Sequence, residues 1–244
     1  MPSDWPILIL TLEGDEARRQ PLLDALDAAG LPWQLFLGVD GRRGLPDRYL
    51  TMIDREGARR RTGRPMTDGE FACALSHRAI YETILERGWA GAVVLEDDAI
   101  LQPDFAAFLQ AGQHRVETMA LLDYRFGRAL LWQRRRAGQW VMYRAAQRAT
   151  LTSAYSLSRD TAADLLAAST PVSFAADWPA DLHELGAWLV VPRIVDHHEP
   201  GQGPSHLAGT RDVLVTDGKP PGRQLKAQYW RGFLRRKLAR KVGR

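Results

Sequence analysis

Five apolar residues, Gly91-Ala92-Val93-Val94-Leu95, run straight into three carboxylates, Glu96-Asp97-Asp98. A short run that is β-branched at its centre and stops abruptly in charge predicts a buried strand whose C-terminal end reaches the edge of a sheet. Side chains alternate along a strand, so Glu96 and Asp98 should share a face and Asp97 should point the other way. Adjacent carboxylates repel at neutral pH unless donors or a cation compensate, and a hard divalent ion such as magnesium or manganese is the usual compensator. Ligands of open α/β sheets also gather outside the carboxyl ends of strands. The triplet therefore reads as a metal site at a strand end, with a solvated acidic turn as the alternative.

The segments before it predict a β-α-β opening. Trp5 to Leu12 is an apolar, branched first strand, Asp15 to Gly30 has helical spacing and ends on a glycine cap, and Trp33 to Val39 is a second strand closed by Asp40-Gly41. That order favours a parallel sheet. Residues 42 to 66, with the solvated-face cluster Arg59-Arg60-Arg61, form a surface excursion. Thr67-Asp68-Gly69-Glu70 has capping-box spacing ahead of a helix through Leu85. Further along, Asp104 to Gln110 and Arg159 to Ala168 predict helices, and Ala120 to Leu122, Ala129 to Trp132 and Ser153 to Leu157 predict strands. Residues 133 to 138 read as a hairpin turn before Trp140 to Tyr143, and Trp188 to Val191 is the last expected folded element.

The chain of 244 residues is 45% hydrophobic, enough to fill a core. Its single cysteine, Cys73, lies in an apolar stretch and excludes an internal disulfide. The first residues carry no export signal, and no stretch of eighteen apolar residues predicts a membrane span. The expected location is therefore cytoplasmic. The net charge of +4 hides an asymmetry: residues 219 to 244 hold ten Lys and Arg and no acid, while residues 1 to 218 hold 23 basic and 29 acidic residues. An acidic body with a basic tail gives no reason to expect nucleic acid as a partner.

Several segments, in order and spacing, together resemble glycosyltransferase family 25, the lipopolysaccharide-type and collagen-type galactosyltransferases. They are Ile9-Leu10-Thr11-Leu12 with Arg18-Arg19, Gly38-Val39-Asp40-Gly41, the stretch from Thr67 through Ser76-His77-Arg78 to Tyr81, Val94 to Asp98, Ala154 to Arg159, and Asp177-Trp178-Pro179-Ala180-Asp181. The resemblance covers roughly residues 7 to 205. It implies an α/β fold of GT-A type, a Rossmann-like sandwich around a central, mostly parallel sheet, in a domain of residues 1 to 218. It also implies an inverting transfer, with UDP-galactose or another UDP-hexose as donor and manganese, or magnesium, as the metal. The acceptor would be a glycan or glycolipid such as lipopolysaccharide.

Carried over residue by residue, the resemblance puts Leu12, Asp40, His77, Arg78, Glu96, Asp97 and Asp98 around the nucleotide sugar. Glu96 and Asp98 become metal ligands, with His206 as a further one from a late loop that also holds His197 and His198. A metal acting as Lewis acid would stabilise the departing diphosphate. An inverting transfer needs a general base for the acceptor hydroxyl. Asp181 is the first choice and Asp177 the second; a cap on a helix starting near Leu182 is the alternative for Asp181. A satisfied core histidine is the alternative for His77, and a turn-forming Asp-Gly is that for Asp40.

Two other classes compete. A phosphoacceptor signalling domain also sets an acidic pair behind an apolar strand, but it needs a second strand-end Asp and a strand-end Lys, which the sequence does not offer at suitable distances. A nonenzymatic sugar-nucleotide or partner-binding relative is the other. In the tail, residues 219 to 244, Trp230, Phe233, Leu234, Leu238 and Val242 fall on one helical face among arginines and lysines. That is the pattern of an amphipathic helix lying on an anionic membrane, and it predicts a protein peripheral to the inner face of the cell membrane. A disordered basic tail and a nucleic acid contact are the alternatives.

Overall fold

A computed structural model of the protein describes residues 4–197 and 227–243. The β-α-β opening is present: β1 (Ile7–Thr11), α1 (Glu16–Ala28) and β2 (Trp33–Leu37), with β1 parallel to β2 and to β3 (Gly91–Glu96). Between β2 and β3 lie a 3-10 turn (Asp47–Met52), α2 (Arg55–Thr62) and α3 (Asp68–Glu86). The chain continues through β4 (Ile100–Leu101), α4 (Phe105–Gln110), β5 (Met119–Leu121), β6 (Arg128–Ala137), β7 (Trp140–Ala145), β8 (Ala154–Ser158), α5 (Arg159–Ala168), β9 (Ala187–Val191) and β10 (Val195–Asp196). Two elements follow near the end, α6 (Ala227–Leu238) and β11 (Arg240–Lys241).

Nine strands form one sheet in the order β11-β6-β7-β9-β5-β8-β3-β1-β2. Strands β1, β2, β3, β5, β6 and β9 run one way, and β7, β8 and β11 run against them. Alternation divides the core. Ile7, Ile9, Val93 and Leu95 pack with Leu22, Leu23 and Leu26 of α1 and Phe105 and Phe108 of α4. Leu8, Leu10, Ala92 and Val94 pack with Ile80, Tyr81 and Ile84 of α3 and Leu165 of α5. The result is a three-layer α/β arrangement with Gly91 to Leu95 of β3 covered on both faces. Gly91 opens that strand because an added Cβ would collide with the Leu157 carbonyl and the Trp5 ring.

The capping box at α3 forms as its spacing predicts. Thr67 Oγ1 accepts from Glu70 N at 3.1 Å, and Glu70 Oε2 accepts from Thr67 N at 3.0 Å. Glu70 is buried, and Arg64 neutralises it at 2.5 Å. The box fixes where α3 begins and therefore where His77, nearly three turns on, meets the end of β3.

Two expectations need correction, and the tail makes contacts that its spacing does not predict. The arginine cluster 134 to 136 belongs to β6 rather than to a turn, which is reduced to Gly138-Gln139. Alternation exposes Arg134 and Arg136, while Arg135 pairs with Glu117 at 2.6 Å, so three arginines in a row fit an outer strand. Val191 does not end the folded part, because β10, α6 and β11 follow. The described part of the tail also docks onto the body. Strand β11 pairs with β6, Ala239 is buried with Leu130 and Ala146, and Arg235 Nη2 reaches Asp181 at 2.6 Å. Leu234 and Leu238 remain exposed, but Val242 lies beyond the helix and packs on the core. No helix among the described residues is long and apolar enough to cross a membrane.

Candidate functional site

Strand β3 ends on Glu96, and the three carboxylates then diverge in their partners. Glu96 Oε1 accepts from Thr152 Oγ1 at 2.8 Å and lies 3.1 Å from His77 Nε2. His77 Nδ1 lies 2.8 Å from the Tyr155 hydroxyl. An ionised carboxylate only accepts, so in a neutral ring the proton sits on Nε2 and Tyr155 donates to Nδ1. His77 is thus both a buried, satisfied histidine and the support of the acidic strand. Glu96 keeps Oε2 without a hydrogen-bond partner among the described residues.

Asp97 turns inward, as alternation predicts: its Oδ2 accepts from Thr11 Oγ1 at 2.9 Å and its Oδ1 from Arg18 Nε at 2.6 Å. Arg18 also reaches Asp98 Oδ2 with Nη2 at 2.6 Å. The parallel crossover explains this clamp, since α1 starts just past the end of β1, beside the end of β3. Because the strand stops at Glu96, the turn and Arg18 set the direction of Asp98, rather than strand alternation. The side chains of Glu96 and Asp98 are 26% and 27% exposed, enough to meet a ligand.

Their ionisation differs. Burial pushes Glu96 up, but His77, Thr152 and Arg18 more than offset it and leave the carboxyl below its ordinary value. Burial and then the Glu96 charge raise Asp98, against a smaller opposing pull from Arg18. Burial likewise raises Asp97 despite Arg18 and Thr11. An oxygen pair carrying this repulsion suits a hard divalent cation, which would relieve it.

A second cluster lies next to the first, and sequence reasoning missed it. Ser153 accepts Glu96 N at its carbonyl at 2.8 Å, while its hydroxyl donates to Asp123 Oδ2 at 2.5 Å. Asp123 is fully buried, two residues past β5, and binds His197 Nδ1 at 2.7 Å and Arg193 Nη1 at 3.3 Å. Arg193 Nη2 also reaches Asp196 at 3.4 Å. The hydrogen bond that His197 donates to Asp123 raises the histidine above its ordinary value. Asp123, Asp196 and His197 have ligand atoms within 4.8 Å of one another, but Arg193 contacts both acids, so the cluster is an internal ion-pair network. Its signal was legible: Ala120-Leu121-Leu122 ends in Asp123 as the earlier run ends in Glu96. Asp123 is thus the second strand-end Asp that a phosphoacceptor domain needs, yet the chain has no lysine before Lys219.

Cys73, His77 and Glu96 also approach within 4.8 Å, but both ring nitrogens of His77 are already engaged and a thiol is a poor ligand for a hard cation.

The remaining predicted residues scatter. The carbonyl of Leu12 caps the start of α1 and accepts from Asp15 N at 3.3 Å. Asp40 is half exposed and holds Arg42, accepting from its backbone N at 2.9 Å and from Nη2 at 2.8 Å, which is the turn reading. Arg78 pairs with Glu82 at 3.1 Å on α3, and Arg18 is the guanidinium that meets the acidic strand end. Asp181 Oδ1 accepts from His183 N at 2.8 Å and Oδ2 holds Arg235, so both oxygens serve a turn and a salt bridge. Asp177 Oδ1 accepts from Leu151 N at 3.1 Å, one residue before Thr152, which joins it to the Glu96 site. His198 and His206 lie outside the described residues.

The sequence matches the family described as "Glycosyltransferase family 25 (LPS biosynthesis protein)" over residues 4–179. A cattle protein named "Probable inactive glycosyltransferase 25 family member 3" is 34% identical over 102 residues, which cover 41% of this chain and 15% of that protein. A "Glycosyltransferase 25 family member" of Aedes aegypti is 36% identical over 106 residues, covering 41% of this chain and 17% of that one. "Procollagen galactosyltransferase 1-A" of Xenopus laevis is 45% identical over 62 residues, covering 25% and 10%. The chain thus spans less than a fifth of the length of these relatives.

Proposed function

Because the chain belongs to glycosyltransferase family 25, we propose that it is an inverting, metal-dependent hexosyltransferase of GT-A type that moves galactose, or another hexose, from a UDP-sugar to a glycan or glycolipid hydroxyl. The observation that carries this reading is the end of β3. Glu96 is held by His77 and Thr152 with Oε2 unpartnered among the described residues, beside Asp98, whose carboxyl is raised by burial and then by the Glu96 charge. Manganese or magnesium on Glu96 and Asp98 would act as Lewis acid toward the donor diphosphate. The protein's own part is orientation. Thr152 and His77 fix Glu96, Arg18 fixes Asp98 and Asp97, and Leu12 and Asp40 border the donor side at the ends of β1 and β2.

For the proton of the acceptor hydroxyl, Asp177 takes precedence over Asp181. It reaches the Glu96 site through Leu151 and Thr152, whereas Asp181 is committed to Arg235. Isothermal titration with UDP and manganese, followed by turnover on a panel of UDP-hexoses, tests the whole reading. Metal-dependent binding with donor turnover is expected; no nucleotide binding with or without metal would sink it. Binding without turnover favours the nonenzymatic relative, a reading encouraged by the inactive naming of the cattle protein. Asp177→Asn should keep UDP binding and lose transfer, and the opposite ranking of Asp177→Asn and Asp181→Asn would restore Asp181 as the base.

The exposed Leu234 and Leu238 of α6, with Lys237, Arg240 and Lys241 nearby, support peripheral attachment to an anionic membrane. Because the tail docks into the sheet, removing it is a poor test. Cosedimentation of Leu234→Asp/Leu238→Asp with phosphatidylglycerol vesicles isolates the contact, and undiminished binding would remove it.

A further inference from the structure

An open cavity of about 340 Å³ lies where the tail meets the body, lined by Gln147, Arg148, Asp181, Arg235 and Arg236 among others. Its size falls in the range of small-ligand sites, roughly 300 to 1,000 Å³. Two of its arginines have no carboxylate in hydrogen-bond contact among the described residues, though the Asp177 charge acts on Arg148. The guanidinium of Arg148 stacks 4.2 Å from the Phe174 ring centroid and donates through Nε to the Asp177 carbonyl at 3.1 Å. Those two contacts fix its plane and leave the terminal nitrogens without an acceptor among the described residues. Arg236 is exposed and makes no hydrogen bond or ion pair among them. Arg235, in contrast, is neutralised by Asp181 at 2.6 Å and Glu184 at 3.2 Å. The cavity therefore presents a net positive wall from Arg148 and Arg236, beside Asp181, whose oxygens are held by His183 N and Arg235.

We propose that this cavity is an acceptor subsite for an anionic saccharide, one carrying a phosphate or a carboxylate. An oriented guanidinium with free terminal nitrogens matches the paired oxygens of either group. The subsite adjoins the reaction centre through one short segment: Arg148 touches the Asp177 carbonyl, Leu151 donates to the Asp177 carboxylate, and Thr152 holds Glu96. A saccharide anchored at Arg148 would extend toward Asp177. The inference rests on the transferase reading and on Asp177 lying at its acceptor side.

The test titrates the full chain with glucose 6-phosphate, glucuronic acid and glucose, with manganese-dependent UDP binding measured on the same samples. At least one of the two anionic sugars should bind about 10-fold or more tighter than glucose. Arg148→Gln/Arg236→Gln should erase that preference and leave UDP binding unchanged. Arg236→Gln alone removes no hydrogen bond or ion pair among the described residues and should weaken the preference at an unchanged melting temperature, which keeps the test open if the double variant is unstable. Equal affinity for all three sugars, or an unaltered preference in the variants, overturns the proposal. So does displacement of glucose 6-phosphate by phosphatidylglycerol vesicles, which would assign the arginines to a lipid headgroup. Loss of UDP binding by the wild type instead refutes the transferase reading, so the two failures are distinguishable.

Discussion

Two strand ends in this molecule begin from the same pattern and finish differently. Both β3 and β5 end an apolar run in acid, yet Glu96 and Asp98 stay about a quarter exposed while Asp123 is fully buried. Asp123 has its oxygens filled by Ser153, His197 and Arg193. Among the described residues Glu96 Oε2 has no hydrogen-bond partner, and burial and then the Glu96 charge raise Asp98 against a smaller pull from Arg18. The same local pattern thus builds a partly exposed face, the ligand-ready face of the proposed function, in one place and an internal anchor in the other. What separates them is not the acid but the supply of cations and donors from elsewhere in the chain.

Substituting one acid from each end sets the comparison at risk. Asp98→Ala should lower turnover on the order of 10³-fold and abolish metal-dependent UDP binding. Its unfolding free energy should change by no more than about 1 kcal/mol, since a partly exposed ion pair contributes little. Preserved transfer in this variant would refute the ligand-ready face. Asp123→Ala should do the reverse and destabilise the fold by about 3 kcal/mol or more in urea, because Arg193 and His197 lose a buried partner. A variant that kept its stability but lost metal-dependent binding would make Asp123 a ligand and dissolve the distinction.

How much of this was legible follows from the range over which each contact acts. The β-α-β opening, the Thr67 capping box and the strand before Glu96 are set by neighbours within a few residues, and all three stand as read. The inward turn of Asp97 was also legible. Arg18 as the clamp was not, since nothing in its helix shows that the crossover delivers it to β3 from 79 residues away. Asp123 shared the visible pattern of a strand-end acid, but its partners His197 and Arg193 come from beyond β9. The tail is the plainest case. Its amphipathic spacing leaves Leu234 and Leu238 outside, as a membrane helix would, yet it could not reveal that Arg235 pairs inward with Asp181 or that Arg240-Lys241 adds a strand to β6.

The smallest of the expected effects tests the buried end by its proton. His197 is raised above the ordinary histidine value of 6.5 by its bond to Asp123. A histidine whose folded value lies above its unfolded one contributes stability in full below 6.5, and loses it as pH rises through the folded value. The wild-type urea midpoint should therefore fall as pH is taken upward from about 6.5, in the same buffer and salt throughout. His197→Gln cannot take up that proton and should flatten the slope while lowering the midpoint most on the acid side. At the exposed end the sign is opposite in origin. Glu96 is held below its ordinary value, so its contribution is present at neutral pH and is lost only as pH falls through that lowered value. An alkaline decline that is present with His197 and flattened in His197→Gln would assign that slope to the Asp123 end. An unchanged alkaline slope in His197→Gln would show that the Asp123 network does not depend on a charged histidine, leaving Arg193 as its counter-ion among the described residues.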